Sequence, residues 1–321
     1  MGLKNKIRFL IPALLIAGIL AYLFLTNNFF QPVEKSGREL VVNKEMPAFS
    51  INVPYNWPLF YTVLEKQAAQ EKSEDDKQDK IKAVAAIAPH HDLAAQYVAE
   101  LFSKLSNPEI KTVIVVGPNH ENAGAAQAIT GILDYRLLEG EVATDAQWVD
   151  WLEQEKLATV EPATFTNEHS IYALVPFINY YFPEAKIVPL ILKSSLVQTE
   201  ARQLGEALAD KIESDNTVGR TLIIGSIDFS HYLTTEQANL KDVQTREALL
   251  ARDYSRLYSF GDDNIDSPMT ATVVLAAATR LGGDQTEIVA NVNQAEATGL
   301  VSVPSSTSYF TIILGQGKAG N

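Results

Sequence analysis

From residue 83 onward the chain alternates between two hydrophobic periods. Ala83–Ala88 (AVAAIA) is a short apolar run that predicts a buried strand. Leu93–Leu105 (LAAQYVAELFSKL) then places apolar residues at helical spacing. Thr112–Val116 (TVIVV) reads as a strand from its β-branched residues. Ile171–Tyr181 predicts a helix kinked at Pro176. Lys186–Leu192 (KIVPLIL) predicts a strand in which Pro189 implies an edge or a bulge. Val197–Ile212 predicts an amphipathic helix, Thr221–Ile224 a strand, and Glu236–Leu257 one long helix. Thr270–Leu281 predicts an apolar helix and Tyr309–Leu314 a closing strand. Ser305–Ser308 reads as a loop. This alternation predicts an α/β domain with helices on both faces of a sheet.

In such sheets, sites form beyond the carboxyl ends of the strands. Four sequence blocks carry the five histidines: APHH (His90, His91), GPNH (His120), EHS (His169) and DFSH (His231). His90, His120 and His231 each fall just past the end of a predicted strand, so one convergent site is expected. Imidazole is a common metal ligand and a general acid/base near neutral pH.

The hydrophobic fraction of 46% suits a globular chain with a real core. A formal charge of −13 excludes the basic footprint of a nucleic-acid binder. The chain has no Cys, which excludes disulfides, thiolate zinc sites, iron–sulfur clusters and a Cys nucleophile. No GxGxxG after a strand, GxxxxGK[ST] loop or GxSxG elbow is present; Ser226 in GSID lacks the second Gly of that elbow.

Before this domain, Lys4, Lys6 and Arg8 precede an uncharged apolar run, Phe9–Leu25, just long enough to span a bilayer. No small-x-small cleavage site follows, which disfavours a cleaved secretory signal. The expected organisation is a cytoplasmic N-terminus over 1–8, a transmembrane signal anchor over 9–30, a tether over 31–45, and a globular domain over 46–321. The expected location is therefore the cytoplasmic membrane, single-pass, with the domain extracytoplasmic and the membrane a partner through the anchor. Glu65–Lys82 is dense in charge and reads as an exposed insertion.

His90 and His120 are the best candidate metal ligands. Adjacent residues of an extended segment face opposite ways, so His91 is expected beside the site or exposed. Without a thiolate the third ligand must be a carboxylate, and Asp92, Glu121, Glu168, Asp228 and Asp266 are all open candidates. Asp228 and His231 could form an acid–imidazole pair that fixes a tautomer. Ser170 could cap the helix after it, with His169 facing a pocket. Asn119, Glu168 and His91 complete the expected pocket.

These blocks, in this order, resemble the Memo family, which includes the bacterial AmmeMemoRadiSam system protein B and looks like the class III extradiol dioxygenases in fold. The resemblance covers roughly residues 83–315. GPNH, EHS and DFSH are intact, and Val175-Pro176-Phe177 resembles the family's Leu-Pro-Phe/Tyr. The family's Ala-Gly-Tyr after the first His is here His91-Asp92-Leu93, a departure. The resemblance implies a metal held by His90, His120 and a residue at a Cys position. Counting back from Thr279-Arg280-Leu281 puts Asp266 at that position, with Ser267 one register away. His231 matches the dioxygenases' acid/base histidine, with Asp228 and His169 beside it. The implied cofactor is a divalent transition metal, iron first, with copper or zinc as alternatives. The implied activity is a metal-dependent, dioxygenase-like redox reaction on an unidentified small molecule or peptide. A zinc-type hydrolase and a non-catalytic metal- or peptide-binding module are the alternatives.

Overall fold

The computed structural model describes residues 48–71 and 81–317. The strands are β1 (Phe49–Asn52), β2 (Lys82–Ala88), β3 (Thr112–Pro118), β4 (Ala128–Thr130), β5 (Leu133–Arg136) and β6 (Glu141–Ala143). They continue with β7 (Thr159–Val160), β8 (Lys186–Leu192), β9 (Thr221–Ser226), β10 (Phe229–Leu233), β11 (Gln285–Asn293) and β12 (Ser306–Gln316). The helices begin with α1 (Trp57–Glu71), α2 (Ala95–Leu105), α3 (Ala146–Gln154), α4 (His169–Tyr172) and α5 (Val175–Tyr181). They end with α6 (Gln198–Ser214), α7 (Thr235–Ala251), α8 (Tyr254–Tyr258), α9 (Pro268–Arg280) and α10 (Gln294–Thr298).

Among the described residues, nine strands form one mixed sheet in the order β10-β12-β2-β9-β3-β8-β4-β7, with β11 also on β12. Its centre, β2-β9-β3-β8, is parallel. Strands buried on both faces need no polar alternation, which is why AVAAIA and TVIVV read as continuous apolar runs. Ile114 and Val116 pack on one face with α6 and α9. Val113 and Val115 pack on the other with α2 and α5. Each fully buried Val or Ile contributes about 1.5–3 kcal/mol relative to exposure. The mixed α/β sheet with helices on both faces is thus the observed architecture. A second, small sheet has the order β1-β5-β6.

Several local expectations are corrected. Pro189 does not mark an edge, because β8 lies between β3 and β4. Lys193 N donates to Gln127 O, and the two-residue period puts the Pro189 nitrogen on that same side. There it faces the chain one residue beyond the end of β4, where no ladder bond is needed. Pro176 starts helix α5 rather than kinking a longer one. The single helix expected over 236–257 is two, because Arg252 takes a left-handed conformation (φ 51°) and Asp253 caps α8. Ser306–Ser308 belongs to β12, not to a loop. Part of the charge-dense insertion, up to Glu71, is the end of α1.

The membrane anchor expected over 9–30, with its flanking segments, lies outside the described residues. Among the described residues no helix is long and apolar enough to cross a membrane. The longest, α6 and α7, have 17 residues each and carry charges along their length, whereas a span needs about 20 mostly apolar residues. The expected single-pass location, extracytoplasmic domain and membrane partner are corrected accordingly: no described element supplies the span they require.

Candidate metal centre

The three parallel strands β2, β9 and β3 end side by side, with Ala88 opposite Ser226 and Val116 opposite Gly225. The chain leaving each strand end therefore enters one small volume. His90 follows β2, Asp228 follows β9, and His120 follows β3. Asp266 comes in just before α9, held by a bond from its N–H to the Asp228 carbonyl at 3.1 Å.

His169 arrives from a different direction, on α4. That helix can approach β3 because residue 117 is Gly: a Cβ there would lie 2.6 Å from Ser170 Oγ. Ser170 Oγ instead donates to the Pro118 carbonyl at 2.9 Å. This seats Glu168, which caps α4, directly beneath His120.

The structure brings together His90, His120 and His169, whose ligand atoms lie within 4.8 Å of one another. The His90 ring stands edge-on to the other two, with centroids 5.2 and 5.1 Å away. Two of the rings are held from behind by hydrogen bonds, and the third, His169, has its Nδ1 3.9 Å from Glu168 Oε1. His90 Nδ1 meets Ser226 Oγ at 3.1 Å, leaving Nε2 toward the centre. His120 Nδ1 lies 2.7 Å from Glu168 Oε1. A carboxylate only accepts, so Nδ1 carries the proton and Nε2 offers its lone pair. Glu168 also accepts from His120 N at 2.9 Å and from Ser170 N at 2.9 Å.

Two more carboxylates close on His90. Asp266 Oδ2 lies 3.4 Å from His90 Nε2, and Asp228 Oδ2 lies 3.7 Å from it. Asp228 Oδ1 accepts from His90 N at 3.1 Å, and Asp266 Oδ2 accepts from Asp228 N at 3.2 Å. Asp228 forms no hydrogen bond with His231, whose Nδ1 is buried without a partner. His91 points away: it is exposed, and its Nδ1 accepts from Leu93 N at 3.2 Å, capping the turn before α2. Asn119 spends both side-chain groups on the Ala123 backbone, closing the loop after His120.

Burial holds His90 well below the usual imidazole range, and also lowers His169 and His231. All three are neutral bases at neutral pH. Burial raises Asp228, and raises Asp266 well above the usual carboxylate range, with the Asp228 charge adding to the effect. Burial also pulls Glu168 upward, but its bonds and charge contact with His120 outweigh that and leave it low.

This is an unbalanced arrangement of charge. Besides backbone N–H groups, Glu168, Asp228 and Asp266 meet imidazoles; no described Lys or Arg reaches them. Asp266 Oδ1 is buried without any partner. Burying carboxylates without a compensating cation is costly. A divalent cation among three neutral imidazole nitrogens and a free carboxylate oxygen would remove that cost. The all-nitrogen and oxygen donor set fits such an ion.

The group opens into a cleft of about 280 Å³, bordered by His120, His231, Tyr232, Asp262, Asp266 and Met269. His231 is carried by β10, whose register on β12 is irregular. Ser230 (φ 25°) and Tyr232 (φ 60°), on either side of it, both have left-handed backbones. Such strain persists only when the surroundings enforce it. Here Asp242, on α7, accepts from Ser230 Oγ and Ser308 Oγ at 2.6 Å each.

Sequence reasoning missed Ser226, which it weighed only as a failed nucleophile, and Asp262 at the rim. Ser226 was findable as the last residue of β9, facing the strand end that bears His90. Asp262 carries no such signal.

A Memo-like protein family model matches residues 61–313 of this chain. A MEMO1 family protein of Pyrobaculum aerophilum is 28% identical over 68% of this chain and 79% of its own length. One from Methanopyrus kandleri is 28% identical over 72% and 83%. One from Caldivirga maquilingensis is 31% identical over 47% of this chain, and the match spans only 53% of that relative. A crystal structure of an uncharacterized protein from Escherichia coli K12 aligns with a TM-score of 0.47 at 12% identity, covering 71% of this chain and 98% of that one. With the family model spanning most of the chain, the protein belongs to the Memo-like family.

Proposed function

We propose that the chain is a metal-dependent enzyme whose mononuclear centre is held by His90, His120 and His169 together with Asp266, and that iron is the ion. The single observation that carries this reading is the convergence of three imidazoles, two of them hydrogen-bonded from behind, beside the buried Asp266 carboxylate, whose Oδ1 has no partner. When bound, the ion would supply Lewis acidity and, as iron, one-electron chemistry with oxygen. The chain's own residues do the rest. Ser226 and Glu168 orient the imidazoles from behind. Asp228 fixes the His90 backbone and so the ring's entry angle. His231 lines the cleft and, being neutral, can take a proton from a bound hydroxyl. The dioxygenase resemblance favours an oxygen-dependent reaction on a small aromatic molecule over hydrolysis.

Oxygen uptake with a catechol tests this, comparing iron-loaded and zinc-loaded protein with a His231→Gln variant. The reading expects uptake only with iron, and uptake reduced at least about 100-fold in the variant. Hydrolytic activity with zinc and no oxygen uptake with iron would replace it with a hydrolase.

A further inference from the structure

The cleft beside the metal centre is selective for charge. The Asn119 and Asn122 side chains are already used within the protein, which leaves the exposed Tyr232 hydroxyl as the free uncharged polar group of the lining. Asn119 is closed on Ala123, and Asn122 Oδ1 accepts from both the N–H and the hydroxyl of Ser194. Neither Lys nor Arg lines it. The nearby cations are also engaged: Lys241 pairs with Asp263 and Lys193 donates to the Gly124 carbonyl.

Asp262, His231 and Asp266 all line the cleft. Asp266 Oδ1 and His231 Nδ1 are buried without a partner, whereas the Asp262 carboxylate is exposed at the rim and enters none of the ion pairs of the described residues. Once Asp266 is committed to the metal, Asp262 and His231 remain for a ligand. Their spacing is fixed, because His231 N donates to the Asp262 carbonyl at 2.9 Å. Asp262 lies outside the proposed ligand set, and no Lys or Arg of the lining answers it.

Resting on the metal-enzyme reading above, we propose that the cleft takes a small molecule carrying a protonated amine, with the Asp262 carboxylate as the receptor for that amine, and that it disfavours anionic ligands. The volume of about 280 Å³ sits at the low end of ligand pockets, which suits one ring and a short arm. The metal and His231 would face the ring, and Asp262 at the rim would meet the arm.

The test uses three catechols that differ in the charge of one arm: dopamine (cationic), 4-methylcatechol (neutral) and protocatechuate (anionic). Their affinities for the full, metal-loaded chain are measured by anaerobic titration calorimetry, beside Asp262→Asn. The expected order is dopamine, then 4-methylcatechol, then protocatechuate, with about tenfold between the first and last. Asp262→Asn should bring dopamine to within about twofold of 4-methylcatechol and leave the neutral ligand unchanged. Raising the salt concentration should compress the order in the parent protein. Protocatechuate binding as tightly as dopamine, or a preference untouched by Asp262→Asn, overturns the proposal. Binding of none of the three also overturns it. The metal content of the same sample then reports separately whether the metal reading survives.

Discussion

Glu168→Gln isolates the part of the site that has no ligand role of its own. The carboxylate accepts three bonds, from His120 Nδ1, His120 N and Ser170 N. An amide has one oxygen and one NH₂, so it cannot accept all three. If the NH₂ takes the Oε2 place, it meets the His120 N–H and leaves that buried donor unsatisfied. If it takes the Oε1 place, it meets the Ser170 N–H and turns the proton demand on His120 around. Nδ1 must then accept, the ring proton moves to Nε2, and the lone pair facing the metal is lost. Either orientation strands one buried N–H, which costs about 1–3 kcal/mol of stability. The second orientation also weakens metal binding, by about 10–100-fold for a lost back-bond of this kind. Urea unfolding of the metal-free protein reads the first quantity, and competition with a chromophoric chelator reads the second. A loss of stability with metal affinity unchanged marks the first orientation; stability and metal affinity both unchanged would refute the claim that Glu168 holds His120 and sets its tautomer.

Ser226→Ala removes the hydroxyl behind His90 but leaves no stranded backbone group, so metal affinity should fall less than in Glu168→Gln by the same competition assay. Gly205→Ala should destabilise by about 1–3 kcal/mol in urea, because a Cβ there would lie 2.3 Å from the Val273 carbonyl where α6 crosses α9. Asp242 gives a pH signature. Burial raises its folded pKa above the ordinary carboxylate value, so the folded state holds that proton more tightly than the unfolded chain. Relative to Asp242→Asn, the parent should therefore gain stability as pH falls from neutral toward 4 and lose it as pH rises through the raised folded value. A parent-minus-variant difference that is flat with pH, or that slopes the other way, would contradict this.

What the sequence disclosed follows from how buried each element is. β2, β3, β8 and β9 are covered on both faces, so their apolar runs are unbroken and were readable, as was α9. β11 (QTEIVANVN) is half-buried along nearly its whole length and shows no clean period. β4, β6 and β7 have only two or three residues each, too few to display one. Arg252 broke a predicted helix because nothing in its residue type announces a left-handed backbone. The site followed the same logic. The blocks bearing His90 and His120 were visible because both follow readable strands. The partner behind each imidazole was not, because Ser226 and Glu168 reach their rings from 136 and 48 residues away in the chain. The Asp228 carboxylate, expected on His231, turned to His90 instead, because His90 offers it a backbone N–H.

The central claim is that three imidazoles and one carboxylate hold one ion, and metal stoichiometry tests it most directly. The purified chain would be analysed by inductively coupled plasma mass spectrometry beside His90→Ala, His120→Ala, His169→Ala and Asp266→Ala, each first confirmed to be folded. The account predicts close to one divalent transition metal per chain in the parent and at least about tenfold weaker retention in every variant. A folded parent that takes up no metal after reconstitution, or His90→Ala and His120→Ala variants that retain it fully, would contradict the account.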